Sequence, residues 1–168
     1  MERQYADLAP KVLEAYPLRD YDSPSEAFAA ASTDSMFACT GLAMSRALAD
    51  KIPVYAYEFG DRTAPSYVGP TTFPLLAAHT YELPYIFNGF RGGGYAEVAL
   101  NPLQDKLSDE MVGYFANVSE LPSKEAEWPR FDPARENVMA FTLPASRVVS
   151  GRVANAHHCE FWDQTGTY

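Results

Sequence analysis

Three histidines, His79, His157 and His158, are the side chains in this 168-residue chain best suited to acid–base work. An imidazole titrates near neutrality, so it can take a proton in one step of a reaction and return it in the next. His79 stands in AAHTYELPYIF, flanked by the small residues Ala77 and Ala78, after a strand-like run and a long loop. A general base of an α/β enzyme sits on such a loop, beyond the carboxyl end of a strand. The same pattern fits a histidine packed in an apolar segment and satisfied by a backbone carbonyl. Spacing alone favours that plainer alternative.

Metal binding is a weaker possibility. His79 and Glu82 lie three residues apart and would share a face if helical. No third ligand is near them in sequence, and Pro84 works against a long helix there. In His157-His158-Cys159 adjacent side chains would point different ways, so the cluster is a poor chelate. It reads as a solvated histidine pair beside a bridging or buried cysteine. No serine stands in a G-x-S-x-G elbow: Ser45 follows GLAM, and Ser150 precedes Gly151 without a leading glycine. There is no P-loop, no G-x-G-x-x-G and no C-x-x-C. Gly92-Gly93-Gly94 follows no strand and opens no helix, so it is a loop. The sequence implies no cofactor and no metal.

The elements that must hold these residues can be read from periodicity and punctuation. Residues 4–16 are rich in helix formers, with Pro10 as a kink or start and Pro17 as a stop. Ser23-Pro24 opens a second helix with a cap and a first-turn proline. Residues 33–50 predict a third, with a break near Thr40-Gly41. Residues 53–59, PVYAYEF, are short, aromatic and almost free of polar residues, the look of a strand covered on both faces. A loop runs from Asp61 to Thr72, and another over 88–94. Residues 107–119 predict an amphipathic helix capped by Ser108. Strands are expected at 138–143 and 147–149, and a last helix over 152–163. Asn117-Val118-Ser119 matches a glycosylation sequon, a pattern common by chance.

Composition narrows the function classes. Hydrophobic residues make up 47% of the chain and aromatics 14%, enough for a sizeable core. The net charge of -9 repels phosphate backbones and anionic lipid, which sets nucleic-acid and membrane-surface partners aside. No apolar run approaches the ~20 residues of a membrane span. The first residues, MERQYADLAPK, lack the apolar stretch of a signal peptide. The chain is therefore expected to be intracellular, or a piece whose amino terminus lies elsewhere. The two cysteines by themselves decide nothing about compartment. One buried parallel-type strand needs parallel partners, and this chain offers too few strands to complete such a sheet. It reads as one incomplete unit, residues 1–168, of a larger α/β domain.

Six stretches in order sharpen that expectation. TDSMFAC resembles "TDxxFxCP", PVYAYEFGDR "PVYxYxFD", and FPLLAAHTYELPYIF "GAxHxxELxYxF". LSDEMVGYFANVSE resembles "LSDxMxxYWxxFAxTGDPN", EWPRFDPARENVMAFTL "WPxYD…xxMxL", and HHCEFWD "CxFWD". Over about residues 5 to 165 the chain resembles the carboxyl-terminal third of the type B carboxylesterase and lipase family, which includes the cholinesterases. The resemblance implies the carboxyl-terminal part of an α/β-hydrolase fold, a mostly parallel sheet flanked by helices. It also implies a serine, an acid and a histidine that together hydrolyse carboxylic esters. His79 takes the place of the triad histidine, which would accept the serine proton and return it to the leaving alcohol. Glu82 takes the place of the acid in H-x-x-E and is expected to be structural. Asp34 takes the place of an aspartate close to the catalytic network, behind the residues that react. Cys39 and Cys159 match two cysteines that pair in secreted relatives, so a bridge would place the protein outside the cell; otherwise it is expected to be cytoplasmic. Where the family has Cys-Pro this chain has Cys39-Thr40, and Phe115 and ANVSELPSK replace the family's helix end. The elbow serine, the oxyanion glycines and the triad acid would all precede Met1.

The first expectation is therefore the histidine-bearing segment of a serine esterase, inactive alone. Its partners would be the amino-terminal part of the same fold and a small or lipid-like ester. The alternative is a cholinesterase-like module kept for binding or adhesion after losing catalysis. An in-frame G-x-S-x-G upstream separates the two.

Overall fold

The computed structural model describes residues 1–87, 89–92, 98–124 and 127–166. The predicted strand at 53–59 is a strand only at Tyr57–Phe59 (β1). The extended chain before it is held all the same: Phe131 N–H donates to Val54 O at 2.7 Å and Met139 N–H to Ala56 O at 2.9 Å. β1 runs parallel to β2 (Asn137–Phe141), and β2 pairs antiparallel with β3 (Arg147–Ser150). Tyr57 stands opposite Met139, and Phe59 opposite Phe141.

Only the central strand β2 is buried nearly throughout. The run at 53–59, expected to be covered on both faces, packs on both but is no more than half-buried, with Tyr57 42% exposed, because β1 is an edge of the described sheet. Successive residues of a strand point to opposite faces. Val54, Ala56 and Val138 accordingly join one core, and Tyr55, Phe59, Met139 and Phe141 the other. The first core is built by the helices α1 (Glu2–Tyr5), α2 (Ala9–Ala15), α3 (Pro24–Thr33), α4 (Cys39–Ala49), α7 (Arg152–Ala156) and α8 (Cys159–Thr165). Trp162 and Tyr16 lie at its centre, fully buried. The second is built by α5 (Leu83–Ile86) and α6 (Pro102–Ala116), with Trp128 packed edge-on against Tyr114 and Phe141.

Several boundaries fall where punctuation put them. Pro10 enters the first turn of α2, and Tyr16 caps its end just before Pro17. Ser23 Oγ accepts from Glu26 N at 3.2 Å to open α3. Others moved. The irregularity expected near Thr40-Gly41 sits earlier, as a five-residue π-helix at Asp34–Ala38 between α3 and α4. α6 begins at Pro102 instead of Leu107. Asn101 accepts from Leu103 N and Gln104 N, and the Gln104 side chain accepts from Asn101 N in return. That reciprocal cap outcompetes Ser108, whose hydroxyl donates to Tyr85 O at 2.6 Å instead. The last helix is divided into α7 and α8 by His158, which takes a left-handed φ of 50°. Of the loop expected over 88–94, Asn88, Gly93 and Gly94 lie outside the described residues.

The accessible surface is 10059 Å², about a fifth more than the ~8,200 Å² expected of a folded monomer this size. Met36, Met44, Phe87 and Tyr57 are among the large apolar side chains left exposed.

Candidate active site

His79 stands on the loop that follows β1, as its sequence context implied, and its side chain is exposed. Three ties hold that loop. Tyr67 and Thr80 share a hydroxyl–hydroxyl hydrogen bond. Ser66 and Tyr81 share another, at 2.9 Å. Below them Tyr85 donates to Asp61 Oδ2 at 2.5 Å, from the first turn of α5. Gly92 lets the neighbouring segment close over Tyr67. A Cβ at that position would lie 2.1 Å from the ring, and the backbone φ is +37°.

Two non-glycine residues in left-handed conformations bracket His79: Leu76 at φ 54° and Thr80 at φ 73°. Each such residue costs on the order of 1–2 kcal/mol, and such positions cluster at functional sites. The imidazole itself stacks on Phe37 of the π-helix, with ring centroids 4.4 Å apart and planes 22° from parallel. Among the described residues it makes no hydrogen bond through either ring nitrogen.

Asp61 anchors the start of the same loop. It is 2% exposed and accepts from Thr63 N, Thr63 Oγ1, Tyr85 Oη and Gln104 Nε2, at 2.5–3.0 Å. Burial opposes its charge, but these donors outweigh burial and hold the carboxyl below the usual range. Glu82 supports the loop through its backbone, whose carbonyl accepts from Tyr85 N and Ile86 N. Burial, and then the nearby Glu82 carboxylate, push the Tyr57 phenol up.

Asp34 is brought to a different histidine. It lies at the start of the π-helix, 4% exposed. Its Oδ2 accepts from Tyr16 Oη at 2.7 Å, and its Oδ1 is 2.5 Å from His157 Nδ1. The other nitrogen, Nε2, lies 2.8 Å from Glu58 Oε1 on β1. Tyr16 in turn accepts from Trp162 Nε1 at 2.7 Å. The expectation of a solvated pair at His157-His158 is therefore corrected. His158 is exposed, but His157 is largely covered and clasped between two carboxylates. Burial opposes its charge, yet the bonds to Asp34 and Glu58 win and push the imidazole up to about 9. It is an imidazolium at neutral pH. Both nitrogens then donate, one to each carboxylate.

Cys39 and Cys159 form a disulfide with Cα atoms 5.2 Å apart, closing 120 residues of sequence separation. Here was a signal that sequence reading could have used. If these cysteines pair, Asp34 and His157 stand five and two residues before bonded neighbours, and must come close. No cluster of three metal-ligating side chains forms among the described residues. Among those residues no helix is long and apolar enough to cross a membrane.

Comparison with known proteins gives these arrangements a context. A model described as "Carboxylesterase family" matches residues 1–162. Human cocaine esterase is 32% identical over 134 residues, which are 77% of this chain and 22% of that protein. The structure of a Geobacillus stearothermophilus carboxylesterase superimposes with a TM-score of 0.61, at 22% identity, covering 94% of this chain and 33% of that one. That second likeness is one of fold. The chain spans about a fifth of the human protein's length and a third of the bacterial one's.

Proposed function

Because this chain belongs to the carboxylesterase family, we propose that it is the histidine-bearing segment of a serine ester hydrolase, with His79 as the base of the triad. The architecture, helices around a small mixed sheet, is a partial α/β-hydrolase fold. The observation that carries the assignment is the loop of His79. It follows β1 and is bracketed by two left-handed residues, and both ring nitrogens lack a bond among the described residues. A triad base needs both: one nitrogen for the orienting acid, the other for the serine hydroxyl.

The serine and the acid come from sequence outside residues 1–168, and so do the oxyanion donors. The natural partner of the segment is the amino-terminal part of the same fold. The excess accessible surface and the exposed Met36, Met44 and Phe87 support this, since exposed apolar side chains of this size suit a covered surface. Asp34 stands behind the site, and Glu82 at its loop. The disulfide supports an oxidising compartment, so the protein is secreted.

Complementation tests the assignment. The amino-terminal part of a carboxylesterase, carrying its own elbow serine, is co-expressed with this chain, and p-nitrophenyl acetate hydrolysis is measured. Activity should appear only in the mixture and fall by at least about a thousandfold in His79→Ala, the usual scale for a lost triad member. The chain alone should be no faster than an equal concentration of free imidazole. Turnover by the chain alone that vanishes in His79→Ala would overturn the assignment, because the nucleophile would then be within it.

A further inference from the structure

A base on an exposed loop must be held still before it can work. Its nitrogen has to stand within hydrogen-bond reach of the proton it takes, about 2.6–3.2 Å. Nothing in the chain holds the His79 ring by a hydrogen bond among the described residues. The contact its ring does make is a stack on Phe37.

We propose that Phe37 is the positioning residue of His79: its ring fixes the imidazole plane by stacking, 4.4 Å away and 22° from parallel. The proposal rests on the assignment of His79 as the triad base. A stack is suited to the task because it uses only the face of the imidazole. Both ring nitrogens lie on the edge and stay free for the acid and the serine. A hydrogen bond to either nitrogen would immobilise the ring and disable it together.

Phe37 is itself well placed to serve as a fixed plate. It belongs to the π-helix Asp34–Ala38, a rare element that occurs mostly as single turns within α-helices and is frequent at functional sites. The turn is pinned at both ends. At its start Asp34 is tied to Tyr16 and His157. After its end Cys39 is bonded to Cys159, and Thr40 Oγ1 donates back to Ser35 O at 3.0 Å. The buried Asp34 and the 45%-exposed Phe37 share this one turn. The turn thus presents an aromatic face outward from an anchored base.

The test uses the 168-residue chain and reads His79 directly. In its proton NMR spectrum, the His79 ring protons should lie upfield of those of a free histidine side chain, because they sit over the Phe37 ring; His158 is no reference, since its own ring lies 4.8 Å from that of Tyr16. Phe37→Leu keeps apolar bulk but removes the ring current, and should return them to unstacked positions. Phe37→Tyr should restore the displacement, which a merely space-filling role would not require. The His157 resonances should stay put in both variants, reporting that the clasp is intact. Carbethoxylation of His79 by diethyl pyrocarbonate, located by mass spectrometry, should speed up roughly two- to tenfold in Phe37→Leu, the range expected for losing one aromatic pair. His79 ring protons already at unstacked positions in the parent chain would overturn the proposal whatever the variants do. So would an unchanged displacement in Phe37→Leu. The complementation assay fails separately. A stack that is present while the mixture ignores His79 overturns the assignment and leaves the stack. A required His79 that ignores Phe37 does the reverse.

Discussion

Asp34 and Asp61 are the two buried aspartates of the described chain, and each takes a phenolic hydrogen bond from a tyrosine. They differ in what else they hold. Asp61 is surrounded by neutral donors: a backbone amide, a hydroxyl and a carboxamide beside the phenol. Asp34 faces an imidazolium that it shares with Glu58. The first arrangement fixes one point, the root of the His79 loop, and gathers α5 and α6 to it. The second ties the end of α2, the π-helix, β1 and the α7–α8 junction into one knot. Neutral donors bind a carboxylate at almost any pH that keeps it ionised. A titratable partner makes the knot depend on pH from above as well. The two sides of the sheet are held by unlike chemistry, and that difference can be tested.

The largest contrast should come from covalent closure. The disulfide lies on the Asp34 side, and among the described residues no other joins the chain. Closing 120 residues of separation contributes about 4–5 kcal/mol in the chain-entropy model. Urea denaturation with and without reductant, or of Cys39→Ser/Cys159→Ser, should show a loss approaching that value. Hydrogen exchange should then open α7 and α8 before α5 and α6. An unchanged midpoint, or α6 opening first, would mean that the two sides are not independently held.

How much of this was legible beforehand follows the range of the interactions. Local signals succeeded at helix ends, where Ser23 and Pro24 opened α3 and Pro17 ended α2. The run PVYAYEF told of a strand but overstated its cover, because how much of an edge strand is buried depends on partners outside the run. The cap of α6 was misjudged because Ser108 and Asn101 are both plausible caps, and only Gln104, folding back on Asn101, decides between them. The placement of His79 after β1 was readable because the residues around it, in order, carry a family pattern. The clasp was not read. It joins residues 99 and 123 positions apart, and no periodicity reports such a pairing. The aromatic stack on His79 was equally invisible, since Phe37 looked like one more apolar residue of a helix.

The next effect is electrostatic, and its sign is opposite on the two sides. The His157 imidazole is raised in the folded chain from about 6.5 to about 9. A raised group contributes stability that is complete below its unfolded value and is lost as pH climbs through its folded one. Stability should therefore decline between about pH 7 and pH 9, by up to about 3 kcal/mol if the clasp is undiminished by solvent. Asp61 is held low, so its contribution is present above its unfolded value near 3.8 and is lost as pH falls further. His157→Gln should flatten the alkaline decline and spare the acid one. Asp61→Asn should do the reverse, with a loss of roughly 1.5–3 kcal/mol at neutrality from its charge-assisted bonds. Thermal melts from pH 3 to pH 10 read both limbs. An alkaline decline that survives His157→Gln would break the comparison.

The smallest test asks whether the two tyrosines are equivalent. Burial pushes both phenols well above their ordinary value, with a lowering bond from Trp162 and a raising one from Asp34 at Tyr16, and Asp61 at Tyr85. Tyr85→Phe removes one donor of several from Asp61, which keeps Thr63 and Gln104. That should cost about 1 kcal/mol. Tyr16→Phe removes a donor from Asp34 and also the acceptor of the Trp162 indole, which is fully buried. An orphaned buried donor carries its own desolvation penalty of about 1–3 kcal/mol. Tyr16→Phe should therefore cost about twice as much or more in urea midpoint, and the Trp162 fluorescence should change with it. Equal losses would mean that the indole finds another acceptor, and that the knot on the Asp34 side is looser than its distances imply.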